Sequence, residues 1–395
     1  MSPGTTRSSL ALACAIILAG LNLRPCLAAI GPLLEPIRHA TGIRFSDAAL
    51  LTTLPIAAMG GGAFAGGRLE AWLGARGGVL LALALILLSC ALRLPPPGYP
   101  ALLATALLAG CGIALAQALL PGLIKQHFPD KVSLLMGLYV TAIMGGASLA
   151  AAGAPWLAQA SGQWHLGLAV WALPAALGCW LWWRHAPAAA GHASHSHSAA
   201  SPGRLPRAWL LAGYFGLGTA VYTCSLAWLP PFFVQLGWSG QQGGLMLSYM
   251  TGMEVLAGLT LPALSARGPD LRGWLALALC FTLAGLLGMV ALPQDRLMLL
   301  WVGLLGLGVG GLFPLSMILT LSHLDDSRAA GRLTAFVQGI GYLIAACAPF
   351  AAGWLRDVTA SFQLAWLALS GAVVLLLLLT ARFAPQRYRL AMRLA

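Results

Sequence analysis

The chain has 395 residues, of which 59% are apolar and only 8% are charged. A soluble domain carries about 25% charged residues, so this composition excludes a soluble globular fold and indicates a protein that lies in lipid. The formal net charge of +12 does not indicate nucleic-acid binding, because the basic residues collect on one side of the spans predicted next.

Twelve runs of about 20 apolar residues are each long enough to cross a bilayer. Because a backbone inside lipid must satisfy its own hydrogen bonds, these runs predict helices. In chain order they cover 9–33, 46–67, 77–94, 99–124, 132–154, 164–183, 207–230, 243–265, 273–292, 297–321, 330–352 and 362–383. An even number of spans places both termini on one side of the membrane, together with most of the 22 Lys and Arg residues. This asymmetry predicts cytoplasmic termini in the inner membrane.

The chain repeats itself at an offset close to 196 residues. The recurring positions are Gly137, Gly145 and Pro155 with Gly331, Gly339 and Pro349, and Arg76 with Arg272. Six spans fall in each copy, which predicts an all-α membrane protein built from two parallel six-helix repeats. We expect bundles over 1–183 and 207–395, joined by a cytoplasmic linker over 184–206.

The linker is rich in His, Ala and Ser. His192, His195 and His197 could touch a metal, but such composition is typical of a solvated loop. We therefore expect no metal site and no cofactor. The eight cysteines sit mostly singly in spans, which favours packing over disulfides.

Arg24 lies deep in the first span, roughly 22 Å from its start at 1.5 Å per residue. A buried arginine costs about 2.5–3.5 kcal/mol even on the mildest insertion scale and indicates function. The structural alternative is a side chain that extends to the headgroups. A guanidinium suits small anions and planar groups with two acceptors, so we expect Arg24 to bind substrate with Asn22 beside it.

The repeat supplies partners for this arginine. Tyr222 is the counterpart of Arg24 at offset 198, and Phe313 is the counterpart of Gln117 at offset 196. We expect Tyr222, Gln117 and Phe313 to line the same site, with Gln338 as a further candidate. The glycines near Gln117 and Phe313 predict close packing, bending or a widened cavity.

Glu254 is the one acid predicted deep inside a span. Three interpretations stay open. It is a proton-coupling site, a counter-ion to Arg24 across the two halves, or a neutral acid bonded to a backbone carbonyl.

The longest predicted external connection covers 34–45 and contains Glu35, Arg38, His39 and Arg44. We expect this loop to cap the outer mouth. No His, Cys or acid cluster at one depth points to catalysis, so we do not expect an enzyme. Asp325 and Asp326 form a pair that predicts a helix cap.

The segment 66–76 resembles the signature between helices two and three of the major facilitator superfamily. Gly66, Arg68, Gly74 and Arg76 carry the resemblance, while Glu70 stands for the usual Asp and one extra residue precedes Gly74. The resemblance implies a gating loop here, and a major facilitator fold whose first, fourth, seventh and tenth helices line the site.

Within that superfamily the chain resembles the cyanate and 2-nitroimidazole transporter family. The runs 21–25, 31–34, 50–55, 117–125, 227–230 and 338–341 carry this resemblance, and Glu254 departs from it. It implies a secondary transporter that moves a small anion or planar solute by alternating access. We expect a monomer, with protons as a candidate coupling ion. The alternatives are a proton-driven efflux pump for hydrophobic compounds and, more distantly, a membrane-embedded sensor or enzyme.

Overall fold

The computed structural model describes residues 3–186, 202–266, 268, 270–292, 297–324 and 326–392. Side chains are described there except at 3–9, 66–71, 133, 327, 328, 389 and 390. All regular structure in these residues is helical. The helices are α1 Pro3–Leu21, α2 Pro25–Ala28, α3 Leu34–Thr41, α4 Phe45–Ala91, α5 Tyr99–His127, α6 Val132–Ser161, α7 Trp164–Ala169, α8 Ala172–His185, α9 Pro206–Gln235, α10 Gly240–Ser265, α11 Arg272–Ala291, α12 Met298–Leu321, α13 Ser327–Thr359, α14 Gln363–Thr380 and α15 Tyr388–Ala391.

Twelve helical segments are long and apolar enough to cross a membrane. The first comprises Leu10–Thr41, and α4 supplies two, Phe45–Ala65 and Trp72–Ala91. The prediction of twelve spans is confirmed, and the chain is a multi-pass membrane protein.

Two segments that were predicted to be loops are largely helical in the structure. The segment 34–45 contains helix α3, which ends at Gly42 in the left-handed region, φ 71°. The segment 66–76 continues α4 rather than forming a loop, and the chain changes direction only at Gly74, where φ is 65° and ψ is 159°. A residue with a Cβ is disfavoured in that backbone region, so glycine allows the turn.

The repeat extends to individual contacts. A Cβ on Gly112 would meet the carbonyl of Ala82, and a Cβ on Gly308 would meet the carbonyl of Ala278. Both pairs are related by the same offset of 196 residues. These glycines let neighbouring helices approach closely, which confirms close packing as one of their roles.

The two ends of the bundle differ in charge. We call the end that holds Arg76, Arg184 and Arg207 the basic end. There the Arg76 guanidinium donates to the carbonyl of Trp183 at 2.8 Å, and Arg207 donates to that of Arg382 at 3.2 Å. The other end, where α4 begins and α13 ends, is the far end.

The two halves contact each other closely toward the far end. The Oγ atoms of Ser148 on α6 and Ser248 on α10 are 2.6 Å apart. The Thr53 hydroxyl on α4 donates to the carbonyl of Ala346 on α13 at 2.9 Å. These contacts join α6 to α10 and α4 to α13, two helix pairs that the repeat relates to each other, and they hold the halves together toward the far end.

The predicted linker lies largely outside the described residues, as do His192, His195, His197 and Asp325. Asp326 caps α13 as predicted, because its Oδ2 accepts from the backbone N–H of Ala329 at 2.8 Å.

Candidate functional site

Arg24 sits where the first span loses its helix. Helix α1 ends at Leu21 and α2 begins at Pro25, whose ring nitrogen has no hydrogen to donate. Gly146 of α6 packs against the carbonyl of Leu21, where a Cβ would not fit. This break was not predicted. It leaves Arg24 at the edge of a short helix, with only 5% of the residue exposed.

The guanidinium of Arg24 lies over the ring of Tyr222. Its central carbon is 5.4 Å from the ring centroid, which is within cation–π distance. Among the described residues, neither Nε of Arg24 nor the Tyr222 hydroxyl has a hydrogen-bond partner. The pair therefore retains buried polar atoms whose hydrogen-bonding capacity is unused in this conformation.

Glu254 on α10 is also buried, with 3% of the residue exposed. Neither carboxyl oxygen accepts or donates a hydrogen bond within the described part of the chain. The ion pairs found there are Arg38–Glu35 and Arg272–Asp270, so Glu254 makes no direct pair with Arg24 in this conformation. Gly310 on α12 faces the Glu254 backbone, where a Cβ would clash, so a glycine brings α12 against this part of α10.

Arg24 and Glu254 line one cavity of about 300 Å³ between the two halves. Other predicted residues that line it are Gln117, Tyr222 and Phe313. Its α6 residues run from Met136 to Met144 and its α10 residues from Glu254 to Pro262. Both stretches belong to the part of each helix nearer the basic end. The cavity therefore lies on the basic side of the contact between Ser148 and Ser248.

Two predicted site residues lie off the cavity wall. The Asn22 amide donates to the carbonyls of Leu18 at 2.8 Å and Pro174 at 3.1 Å. It therefore ties the end of α1 to α8. The Gln338 amide contacts the sulfur of Met317 at 3.2 Å.

An aromatic row covers one wall of the cavity and was missed as a unit. Phe313 and Phe215 have ring centroids 5.5 Å apart, and Phe215 meets Tyr342 edge-on at 5.5 Å. All three residues line the cavity. Tyr342 follows Gln338 by one helical turn, so the sequence located this stretch of α13 but not which side chain faces inward. Gly341 leaves room for the Phe215 ring.

The predicted gating segment contacts the rest of its bundle through Arg76. In addition to the bond that Arg76 donates to Trp183, its carbonyl accepts from the indole of Trp182 at 3.0 Å. The side chains of Gly66, Arg68 and Glu70 are outside the described set. Gly74 is the bend that separates the second span from the third.

Comparison with known proteins identifies the family. Residues 10–330 match the model of the Major Facilitator Superfamily. The chain belongs to this superfamily. It is 43% identical over 376 residues to the cyanate transport protein CynX of Escherichia coli K12, covering 94% of this chain and 97% of that protein. It is 29% identical over 379 residues to the 2-nitroimidazole transporter of the same organism, covering 94% of each.

Solved structures of the Major Facilitator Superfamily share this fold. The D-xylose–proton symporter aligns with a TM-score of 0.74 at 15% identity, over 98% of this chain and 99% of that one. The inward-open form of the xylose transporter XylE aligns with a TM-score of 0.76 at 13% identity, over 95% and 96%. At such identities the likeness concerns the fold alone, and it agrees with the two six-helix halves of a Major Facilitator Superfamily protein.

Proposed function

We propose that this protein is a secondary transporter that moves a small anion or planar solute, such as cyanate or a nitroimidazole, across the inner membrane by alternating access. The observation that supports this most directly is Arg24. It is a buried guanidinium without an ion-pair partner among the described residues, facing a cavity between two bundles. Its placement suits an anionic substrate, and the relative at 43% identity is named as a cyanate transport protein.

The orientation that we propose places the basic end in the cytoplasm, together with both termini, because positive residues are retained on that side. The cavity then faces inward, and the far end is closed to the outside. The domain bounds that we propose remain 1–183 and 207–395, with 184–206 as the linker.

Each site residue has a proposed role. Arg24 binds the anionic edge of the substrate, and the ring face of Tyr222 supports the guanidinium. Gln117 and Phe313 form part of the cavity wall. Asn22 holds the helix break next to Arg24, and Gln338 keeps α13 against α12. The segment with Gly66, Arg68, Glu70, Gly74 and Arg76 gates the basic end.

Glu254 is the proposed proton-coupling residue. Its carboxyl is buried in the same cavity as Arg24 and has no described partner, so its charge state can respond to what binds there. We expect Glu254→Gln to abolish uptake driven by a proton gradient while it spares exchange of substrate across the membrane. Gradient-driven uptake by this variant would contradict the coupling role.

The experiment that tests the function is uptake of labelled cyanate into proteoliposomes, with and without an imposed proton gradient. Saturable uptake should fall about thirtyfold or more in Arg24→Ala, because a ligand charge then loses its buried partner. Arg24→Lys should restore little, since an ammonium lacks the planar fork. Arg387→Ala, at an exposed position near the C-terminus, is the matched control and should transport normally. Equal uptake by Arg24→Ala and the wild type would refute the proposal.

The two relatives are named as a cyanate transport protein and a 2-nitroimidazole transporter. These names do not favour the alternatives of an efflux pump, a sensor or an enzyme.

A further inference from the structure

Arg93 is a second buried arginine, and it lies outside the cavity. It follows the end of α4, only 1% of the residue is exposed, and it does not line the cavity. Its Nε donates to the Thr105 hydroxyl on α5 at 3.0 Å, and its Nη1 donates to the carbonyl of Cys26 on α2 at 3.3 Å. Neither of the ion pairs in the described part of the chain involves it. Because a buried charge without an ion-pair partner is costly, this arrangement indicates a specific role.

The carbonyl that Arg93 binds is one that the short helix α2 leaves free. In a continuous helix the carbonyl of Cys26 would accept from the N–H of Ile30, four residues further along the chain. Here α2 ends at Ala28, and the Ile30 N–H donates to the carbonyl of Leu27 at 3.2 Å instead. Arg93 therefore supplies the missing donor at the C-terminal end of α2.

The opposite end of α2 is Arg24. The Arg24 carbonyl accepts from the N–H groups of Leu27 and Ala28, both at 3.0 Å, so its backbone belongs to the first turn of α2. A displacement of α2 would therefore also move the guanidinium of Arg24 relative to the Tyr222 ring, whose centroid is 5.4 Å from its central carbon. The position of Arg24 in the cavity thus depends on the contacts that hold α2.

The C-terminal half has neither the break nor the buried arginine. At an offset of 198 residues Cys26 corresponds to Cys224, which lies inside the unbroken helix α9 and needs no side-chain donor for its carbonyl. At an offset of 196 residues the corresponding positions are Arg93 with Met289 and Thr105 with Trp301. The polar pair therefore occurs in the half whose first span is broken, and an apolar pair occurs in the half whose first span is continuous.

We propose that Arg93 is a positioning residue for substrate binding. It caps the C-terminal end of α2 and so holds Arg24 in the orientation that faces the cavity, without touching the substrate itself. This inference rests on the proposed function, in which Arg24 binds the substrate, and adds a residue outside the cavity on which that binding depends.

The first test is the concentration dependence of cyanate uptake into proteoliposomes. Arg93→Met introduces the residue that the other half accommodates, fully buried, at the corresponding position. It should raise the KM about tenfold at an unchanged maximal rate, because only a minority of the molecules would then hold Arg24 in the binding position. A loss of folded protein would instead lower the maximal rate and leave the KM unchanged. Arg93→Lys keeps one donor for the Cys26 carbonyl and should regain part of the affinity.

Arg207→Met is the matched control. Arg207 is a half-buried arginine that also donates to a backbone carbonyl, that of Arg382 at 3.2 Å, but it does not contact α2 or line the cavity. This variant should lower the melting temperature in detergent and leave the KM as in the wild type. Thr105→Val removes only the partner of the Arg93 Nε and should raise the KM by a smaller factor, so the test stands even if Arg93→Met does not fold.

The second test needs no substrate. In hydrogen–deuterium exchange of the detergent-solubilised full chain, the amides of residues 27–30 should exchange about tenfold faster in Arg93→Met, because the end of α2 has lost a hydrogen bond from a charged donor. The corresponding stretch of α9 around Cys224 should exchange as in the wild type.

Two results would overturn the inference while the proposed function stands. One is an unchanged KM in folded Arg93→Met or, if that variant does not fold, in Thr105→Val, with wild-type uptake that depends on Arg24. The other is unchanged exchange of α2 in Arg93→Met. If wild-type uptake does not depend on Arg24, the proposed function fails, and the role of Arg93 in substrate binding fails with it.

Discussion

At the scale of single residues, Arg24 is a charge whose burial is only partly compensated. Burying an arginine in the membrane costs about 2.5–3.5 kcal/mol on the mildest scale. The Tyr222 ring at 5.4 Å offsets roughly 2 kcal/mol of that by a cation–π contact inside the protein. The remaining cost favours an anionic ligand, because a bound anion would supply the missing partner.

His323, beyond the end of α12, is buried like Arg24, but both of its ring nitrogens have hydrogen-bond partners. Its Nδ1–H bonds the carbonyl of Leu319 at 2.7 Å, its Nε2 accepts from Arg207 at 3.1 Å, and its ring stacks on Tyr388 at 4.2 Å. Burial, helped by the Arg207 charge, lowers the pKa of His323 to about 4. The neutral ring thus joins the start of α9 to the C-terminal segment.

This pKa predicts a dependence of stability on pH. An unfolded histidine has a pKa near 6.5, so the unfolded chain binds a proton that the folded chain excludes. The contribution is complete above about pH 6.5 and is lost as the pH falls toward 4, and it amounts to about 3 kcal/mol. Melting temperatures of wild type and His323→Gln in detergent should differ at pH 7.5 and converge by pH 4.5. A constant difference across that range would contradict the assignment.

At the scale of elements, the start of α4 is capped partly by its own Asp47, which accepts from the backbone N–H of Arg44 at 3.0 Å, and partly by the other half of the protein. The backbone N–H groups of Phe45 and Ser46 donate to the Asp357 carboxylate of α13 at 3.0 and 2.8 Å. The repeat counterpart of the start of α4 is α10, which is capped by its own Ser239. Separation of the halves at the far end would therefore leave the N–H groups of Phe45 and Ser46 without their acceptor, whereas the cap of α10 would stay intact.

Asp357→Asn should shift the protein toward opening at the far end. The substitution weakens a charged cap worth about 1 kcal/mol or more, so the open population should rise roughly fivefold to tenfold. Double electron–electron resonance measures the distance between spin labels placed at the exposed positions His39 and Gln363. In Asp357→Asn the long-distance population, in which the far end is open, should be larger. The native exposed cysteines, Cys14, Cys111, Cys280 and Cys347, would first be replaced.

Asp270→Asn is the control for this measurement. Asp270 pairs with Arg272 near the basic end at 2.7 Å, and its loss should leave the labelled distance unchanged. If Asp357→Asn gives the same distribution as this control, the cap does not hold the far end closed.

The elements also show what the sequence can predict. The spans follow from apolar length, and the meeting of Arg24 with Tyr222 follows from the repeat, because equivalent helices of the two copies face each other. The Asp357 cap does not follow, since it joins residues 312 positions apart. The inward turn of Tyr342 and the break after Leu21 depend on how closely Gly341 and Gly146 let neighbouring helices approach, which only tertiary packing decides.

At the scale of the whole molecule, the cavity and the contacts that join α6 to α10 lie at different depths of the bundle. The cavity residues of α6 end at Met144 and those of α10 begin at Glu254. Ser148 and Ser248 lie just beyond them toward the far end, with their hydroxyl oxygens 2.6 Å apart. Alternating access requires this crossing to separate when the far end opens.

A disulfide at this crossing should therefore stop transport. Side-chain atoms this close are compatible with the Cβ separation of about 3.5–4.5 Å that a disulfide needs. We expect the oxidised double variant Ser148→Cys, Ser248→Cys to lose cyanate uptake into proteoliposomes and to regain it on reduction. Either single variant, treated with the same oxidant, should transport normally. Undiminished uptake by protein that mass spectrometry shows to be fully cross-linked would mean that α6 and α10 stay together through the cycle, and the far end would then have to open between α4 and α13 alone.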